Sequence, residues 1–104
     1  MGIEDQFIRE SAFVAASATD AVINTTKGGI LQRLVIVPAT TTPGAVSFKD
    51  GSGGTARTVF VGGTVVDVKP FVVELGVRGA DATGFRVTTG ASVSVIVVGR
   101  FNTN

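Results

Sequence analysis

Three carboxylates are the side chains of this sequence that come nearest to a catalytic group. Asp67 with Glu74 or Asp81 could act as an acid and base pair if loops brought two of them within several ångströms of each other. Each lies beside polar or turn residues, where a solvated carboxylate is the ordinary outcome. Asp50 and Asp81 also lack the closely spaced oxygen ligands of a calcium loop. The sequence therefore predicts no catalytic residue and no metal site.

The chain contains neither cysteine nor histidine. The absence of cysteine excludes disulfides, thiol chemistry and zinc sites built on thiolates. The absence of histidine removes the commonest general base, the commonest metal ligand and the usual partner of an activated serine. Any catalysis would rest on carboxylates, lysine or arginine alone, and we expect a protein that is not an enzyme.

One glycine-rich segment, residues 51–56 (GSGGTA), matches the glycine spacing of a dinucleotide-binding loop. Such a loop must open a helix whose first amides hold the pyrophosphate. The residues that follow, 57–61, include Thr58, Val59 and Val61, whose β-branched side chains favour a strand. We therefore interpret 51–56 as a hairpin turn and expect no cofactor and no small-molecule substrate.

Charge is nearly balanced over the chain but unevenly distributed along it. Nine Lys and Arg against eight Asp and Glu give a net charge of +1. Residues 1–20 hold four acidic residues and one basic residue, so an acidic leader precedes a mildly basic body. The basic residues of this body are Lys27, Arg33, Lys49, Arg57, Lys69, Arg78, Arg86 and Arg100. They are dispersed, with no tyrosine or tryptophan on which bases could stack, so the sequence predicts no nucleic-acid partner.

Valine and threonine dominate after residue 19, and 14 glycines interrupt the chain at short intervals, which is typical of a sheet-rich domain with tight turns. The predicted strands are 12–18, 21–25, 30–37, 45–49, 56–61, 64–68, 71–75, 84–88 and 92–100. Alternating apolar residues predict a core of Val46, Phe48, Phe71, Val73, Phe85, Val87, Val93 and Val95. The fold class expected is all-β: a single small β-sandwich or jelly-roll of about eight short strands with an extended N-terminal arm.

The N-terminal stretch, residues 2–18, leaves arm, strand and short helix open, because it contains helix formers but no sustained apolar stripe. We favour an arm, and divide the chain into an arm at 1–11 and a sandwich domain at 12–104. No apolar run approaches the length of a membrane span, and the acidic start is unlike a secretion signal. We therefore expect that the protein is made in the cytoplasm and does not associate with a membrane.

Two predicted strands are apolar toward both faces, at 30–37 and 93–98. One sheet should therefore carry an apolar outer face that something covers. A protein partner and the arm or a loop of the same chain are equal alternatives for that cover.

Two blocks of sequence stand out: LVIVPATTTPGAV at 34–46 with FKDG at 48–51, and KPFVVELG at 69–76 with GFRVTTGASVSV at 84–95. These blocks resemble small β-sandwich structural proteins of tailed bacteriophages. Together they cover about residues 30–101, and they do not extend to the acidic leader. Proteins of this kind are similar in carrying no catalytic residues.

The resemblance implies a virion protein, made in the host cytoplasm, with the major capsid protein or other virion proteins as partners and a small homo-oligomer as its assembled state. A capsid decoration protein that binds the head surface through an apolar sheet face and the arm is the first hypothesis. A neck, tail or fibre component is the alternative within the virion. A carbohydrate-binding module is a further alternative, although the chain lacks the tryptophan and tyrosine platforms of such sites.

Overall fold

The structure, a computed structural model, describes residues 8–24, 29–80 and 83–102. These residues form eight strands and contain no helix, which confirms the all-β prediction. The strands are β1 (Ile8–Val14), β2 (Ala21–Val22), β3 (Gly29–Pro38), β4 (Val46–Asp50), β5 (Arg57–Phe60), β6 (Phe71–Arg78), β7 (Phe85–Thr89) and β8 (Val93–Asn102). It follows that no helix long and apolar enough to cross a membrane occurs among them.

The strands make two four-stranded antiparallel sheets. Sheet I has the order β1-β8-β3-β6, and sheet II has the order β2-β7-β4-β5. Four of the strand pairs are nested in sequence, each inside the one before it: β1 with β8, β2 with β7, β3 with β6, and β4 with β5. The chain therefore folds as one long antiparallel hairpin whose paired strands are distributed over the two sheets. This arrangement is a jelly roll, the more specific of the two sandwich types that the sequence predicted.

Alternating burial explains why these segments form strands. In β3, Leu34 and Ile36 are buried, while Val35 and Val37, which alternate with them, are half-buried on the opposite face. In β6, exposed and half-buried residues alternate along all eight positions. A strand places successive side chains on opposite faces, so these patterns point one set of residues to the core and the other to the outer face.

The core lies between the two sheets. Its buried apolar side chains are Val14, Ile23, Leu31, Leu34, Ile36, Val46, Phe48, Phe85, Val87, Val93, Val95, Val97 and Phe101. Six of the eight predicted core residues are among them, and the other two, Phe71 and Val73, are half-buried and pack against it. The rings of Phe85 and Phe101 meet edge to face across the core, with centroids 6.0 Å apart.

The hairpin turn predicted at residues 51–56 is confirmed. It joins β4 to β5, which pair antiparallel with Phe48 opposite Arg57. Gly51 adopts a φ of 95°, and the Gly54 amide donates to its carbonyl oxygen at 3.1 Å. Glycine takes this left-handed conformation without steric cost, so the segment turns the chain and opens no helix.

The strand predicted at 64–68 is wrong, the one predicted at 21–25 is shortened to Ala21–Val22, and the one predicted at 12–18 is shifted. Residues 64–68 form no strand, because the whole of 61–70 is a loop whose Val65 amide donates to the Thr41 carbonyl oxygen at 2.8 Å. The strand placed at 12–18 is shifted: β1 begins at Ile8 and ends at Val14, and Ser17 then adopts a φ of 59° in a turn. The helix considered for the N-terminal stretch does not form at residues 8–14, whereas residues 1–7 lie outside the described part of the chain.

Candidate docking surface

The described carboxylates considered for catalysis or for calcium, Asp50, Asp67 and Glu74, have separate cationic or backbone partners. The Asp67 carboxylate lies 3.7 Å from the Lys69 ammonium, with both side chains exposed in the loop 61–70. Glu74 on β6 accepts from Arg33 Nε at 3.0 Å. Asp50 accepts from the Ala80 amide at 3.0 Å, and Asp81 lies outside the described residues. No group of three possible metal ligands occurs within the described ranges.

The outer face of sheet I carries a row of four apolar side chains that crosses all four strands. Phe13 of β1 is opposite Ile96 of β8, Ile96 is opposite Val35 of β3, and Val35 is opposite Val72 of β6. Directly opposite residues on one face have Cβ atoms about 4.5–5.5 Å apart, so the four side chains form a continuous strip. Phe13, Ile96 and Val72 are 68%, 38% and 52% exposed. We call these four residues the apolar row.

The apolar row is followed by increasingly charged positions toward one end of the sheet. In the next register, Val98 is opposite Ser11 on one side and Arg33 on the other, and Arg33 pairs with Glu74. One step further, Ile30 lies between two arginines, Arg78 and Arg100. On the opposite side of the row, Val37 is opposite Ser94, and neither is charged. The charged groups are therefore confined to one end, and the apolar row itself holds none.

Sheet II has an outer face of different character. Its outward positions include Ser47, Lys49, Arg86 and Thr88, with Lys49 directly opposite Arg86. Such a face is hydrated without a partner, whereas the apolar row exposes surface that association would remove from water. The contrast between the two outer faces makes sheet I the candidate docking surface.

An ion pair organises one corner of sheet II. Lys49 Nζ donates to Asp20 Oδ2 at 3.1 Å, and the Thr88 hydroxyl donates to Asp20 Oδ1 at 3.3 Å. The hydrogen bond from Lys49 is the largest influence on the Asp20 carboxyl and lowers its pKa, against a smaller opposing effect of desolvation. Nearby, Arg86 Nε is buried with no hydrogen-bond partner in the described structure. We assign these residues no ligand, because Asp20 is already bonded to Lys49 and Thr88.

The connection between β1 and β2 is held in place by one threonine. The Thr89 hydroxyl donates to the Ala15 carbonyl oxygen at 2.6 Å and accepts from the Ala18 amide at 3.0 Å. The Ser17 amide also donates to the Gly90 carbonyl oxygen at 2.9 Å. These bonds link the end of β1 to β7, and so help to position Phe13 at the margin of sheet I.

The loop 61–70 displays further exposed apolar side chains at the end of the sandwich where β6 begins. Val66 is 95% exposed and Val61 is 83% exposed. The loop is nevertheless tied to the β3–β4 connection, because the Gly63 amide donates to the Pro43 carbonyl oxygen at 3.0 Å. A Cβ at Gly62 would lie 2.7 Å from the Gly44 carbonyl carbon, so only glycine allows this close approach.

The apolar outer face was predicted in part from sequence. The strands apolar toward both faces correspond to β3 and β8, and they supply Val35 and Ile96. Phe13 and Val72 were not predicted to join them. A signal was present for Val72, because Phe71, Val72 and Val73 are consecutive apolar residues and one of them must face outward. For Phe13 no local signal existed, since its place depends on the long-range pairing of β1 with β8.

No family model, no curated protein and no solved structure matches this chain.

Proposed function

We propose that this protein is a non-enzymatic structural component of a tailed-phage virion, which decorates the head by docking the outer face of sheet I on shell subunits. The observation that carries the proposal is the apolar row, Phe13, Ile96, Val35 and Val72 in register across one whole sheet. Docking on a protein partner would remove this surface from water. The catalytic alternative has no comparable support, since Asp67 and Glu74, the two described carboxylates that suggested it, have other partners.

The jelly roll supports this assignment without carrying it. Viral capsid proteins, lectins and cupins all use this architecture, and a fold alone does not define a function. The composition separates the three uses. Cupin-type metal chemistry depends chiefly on histidine ligands and lectin platforms depend on tryptophan or tyrosine, and the chain has none of these residues.

The energetics favour many weak attachments over one strong attachment. Complete burial of an apolar side chain of this size contributes about 1.5–3 kcal/mol, and the four residues of the row are already partly covered. Association also costs translational and rotational freedom, so the row of a single copy gives a modest affinity. An oligomer that engages several shell subunits gains from effective concentration, as repeated binding to a capsid requires.

Copy number in purified particles tests this proposal. Particles from the source of the chain would be isolated on a density gradient, and the chain would be quantified by mass spectrometry against the main shell protein. We expect hundreds of copies, in a simple ratio to shell subunits. About a dozen copies or fewer would move the protein to the neck, tail or fibre, and absence from particles would overturn the virion assignment in favour of the glycan-binding alternative.

A pair of variants tests whether sheet I is the docking face. Ile96→Lys places a charge in the middle of the apolar row, and we expect it to abolish binding to shells that lack the protein. Thr58→Lys adds the same charge at an exposed position on β5 of sheet II and should bind as the parent does. Both positions are accessible, so both variants should fold. Equal binding by Ile96→Lys and the parent would contradict the proposed face.

A further inference from the structure

Sheet I has two long open edges. In the described ranges, β1 pairs only with β8 and β6 pairs only with β3, so each leaves one side of a strand of seven or eight residues unpaired. The edges of sheet II are shorter, with two residues in β2 and four in β5. Long exposed edges are templates for another strand unless the sequence protects them.

The β6 edge is protected and half of the β1 edge is not. On β6, Glu74 and Arg78 are exposed and charged, and Gly76 between them has a φ of 68° that interrupts regular strand geometry. On β1, a register irregularity lies between Arg9 and Ser11. The segment beyond it, residues 11–14, is uncharged and includes Phe13, which is 68% exposed. Charges and bulges deter strand addition, and their absence over 11–14 leaves this segment open to it.

Residues 11–13 of the β1 edge are complementary to the same residues of a second copy. If two β1 strands pair antiparallel with Ala12 on a two-fold axis, Ser11 of each copy lies opposite Phe13 of the other on the outer face. A small side chain then faces a large one, and the two Ala12 side chains meet on the inner face. We propose that the chain forms a two-fold dimer by this pairing of β1 with β1 of a second copy, which joins the two four-stranded sheets into one of eight strands. Main-chain hydrogen bonds would supply most of the affinity.

The proposed dimer places both apolar rows on the same side. The two-fold axis is perpendicular to the shared sheet, so the outer faces of the two copies are coplanar and their apolar rows lie end to end near Phe13. A flat apolar face of twice the area suits bivalent attachment to a repeating surface. The dimer itself does not depend on the proposed virion function, because its test needs only the purified chain.

The mass of the particle in solution tests the dimer. Light scattering after size exclusion measures the molar mass, which for the parent should reach twice 10.6 kDa as the protein concentration is raised. Phe13→Asp should give the monomer mass, because it puts a charge at the centre of the new strand pair. Val72→Asp is the matched control: it alters the other edge of the same apolar row, at comparable exposure, and should remain dimeric. A parent that is monomeric throughout, or a dimer that Val72→Asp dissociates and Phe13→Asp does not, would overturn the proposal.

Two further variants guard against misfolding and fix the register. Ser11→Lys changes an exposed residue with no core contact and should also dissociate the dimer, so the test does not rest on Phe13 alone. The chain has no cysteine, so Ala12→Cys introduces a single thiol on the proposed axis. Opposite Cβ atoms at about 4.5–5.5 Å are close enough for a disulfide after a small adjustment. We expect a disulfide-linked dimer on mild oxidation and none for Thr58→Cys, and a failure of Ala12→Cys to crosslink would contradict the pairing.

Discussion

At the scale of single residues, Thr89 does more for the fold than its type suggests. It is one of two buried polar residues in the described part of the chain, and its hydroxyl donates one hydrogen bond to the β1–β2 connection and accepts another from it. Buried polar groups that lose their partners keep the cost of leaving water. This hydroxyl therefore contributes two of the hydrogen bonds that hold the turn from sheet I to sheet II.

We predict that Thr89→Val lowers the free energy of unfolding by about 1–3 kcal/mol, because valine keeps the volume but leaves the Ala15 carbonyl and Ala18 amide without this partner. Urea denaturation measures the change. Thr19→Val is the control, since Thr19 is exposed in the same connection, and its effect should be within about 0.5 kcal/mol. Equal losses for the two variants would mean that the Thr89 hydrogen bonds contribute nothing.

The Asp20–Lys49 ion pair predicts a dependence of stability on acid. Lys49 lowers the pKa of Asp20 below its ordinary value of 3.8, so the folded state binds this proton less readily than the unfolded state. The stabilising contribution is therefore present above that value and is lost as the pH falls through the folded pKa. Lys49→Met should make the thermal midpoint fall less steeply over this acid range. If the thermal midpoints of the parent and Lys49→Met fell equally steeply with pH at the same salt concentration, Lys49 would not be the cause of the lowered Asp20 pKa.

At the scale of elements, β1 is the strand whose role sequence left most open. It begins at Ile8, opposite Asn102, so residues 8–11 of the stretch interpreted as an arm pair with β8. Val14 at its other end is buried in the core. Because β1 is paired along one side and has a buried residue at its end, it belongs to the domain. We therefore expect deletions that stop before Ile8 to be tolerated and deletions that remove β1 to be destabilising.

We predict that deletion of residues 1–7 leaves a cooperative thermal transition close to that of the parent, because it keeps β1 whole from Ile8 onward and with it the pairing of β1 with β8. Deletion of residues 1–14 should abolish the transition or lower its midpoint strongly, since it removes Val14 and exposes the edge of β8. Circular dichroism during heating measures both. A normal melt after the longer deletion would show that sheet I is stable with three strands.

At the scale of the whole molecule, one core serves both sheets. Buried residues from β3 and β8 of sheet I pack against those from β4 and β7 of sheet II, and the pair Phe85 and Phe101 joins the two layers. A second ring pair, Phe60 and Phe71, lies between β5 and β6 at the margin, with centroids 5.2 Å apart. Since neither sheet can bury its inner face alone, we expect the sandwich to unfold in a single transition.

The two ring pairs predict unequal losses on truncation to alanine. Phe85 is fully buried, so Phe85→Ala should cost about 3–5 kcal/mol, whereas the half-buried Phe71 should cost less when replaced. Chemical denaturation followed by circular dichroism measures both losses. Tryptophan fluorescence cannot be used as the signal, because the chain lacks tryptophan. If Phe71→Ala lost more stability than Phe85→Ala, the core would be centred on the Phe60–Phe71 pair, which would contradict the packing described above.

Local patterns in the sequence were sufficient for much of this fold. Alternation of apolar residues identified β4, β6 and β7 and most of the core, because the faces of a strand are decided by a period of two. The glycine-rich turn at 51–56 was identified by the strand residues that follow it. The absence of histidine and cysteine, which bounds the possible chemistry, was also legible in the sequence alone.

Only the tertiary structure decided which apolar residues share a surface. Phe13 and Val72 are far apart in the chain, and they join Ile96 and Val35 because β1, β8, β3 and β6 pair in that order. Residues 64–68 have the composition of a strand, yet hydrogen bonds to the β3–β4 connection hold them as a loop. Both outcomes depend on contacts between distant segments, and local side-chain patterns do not encode the partner of a strand.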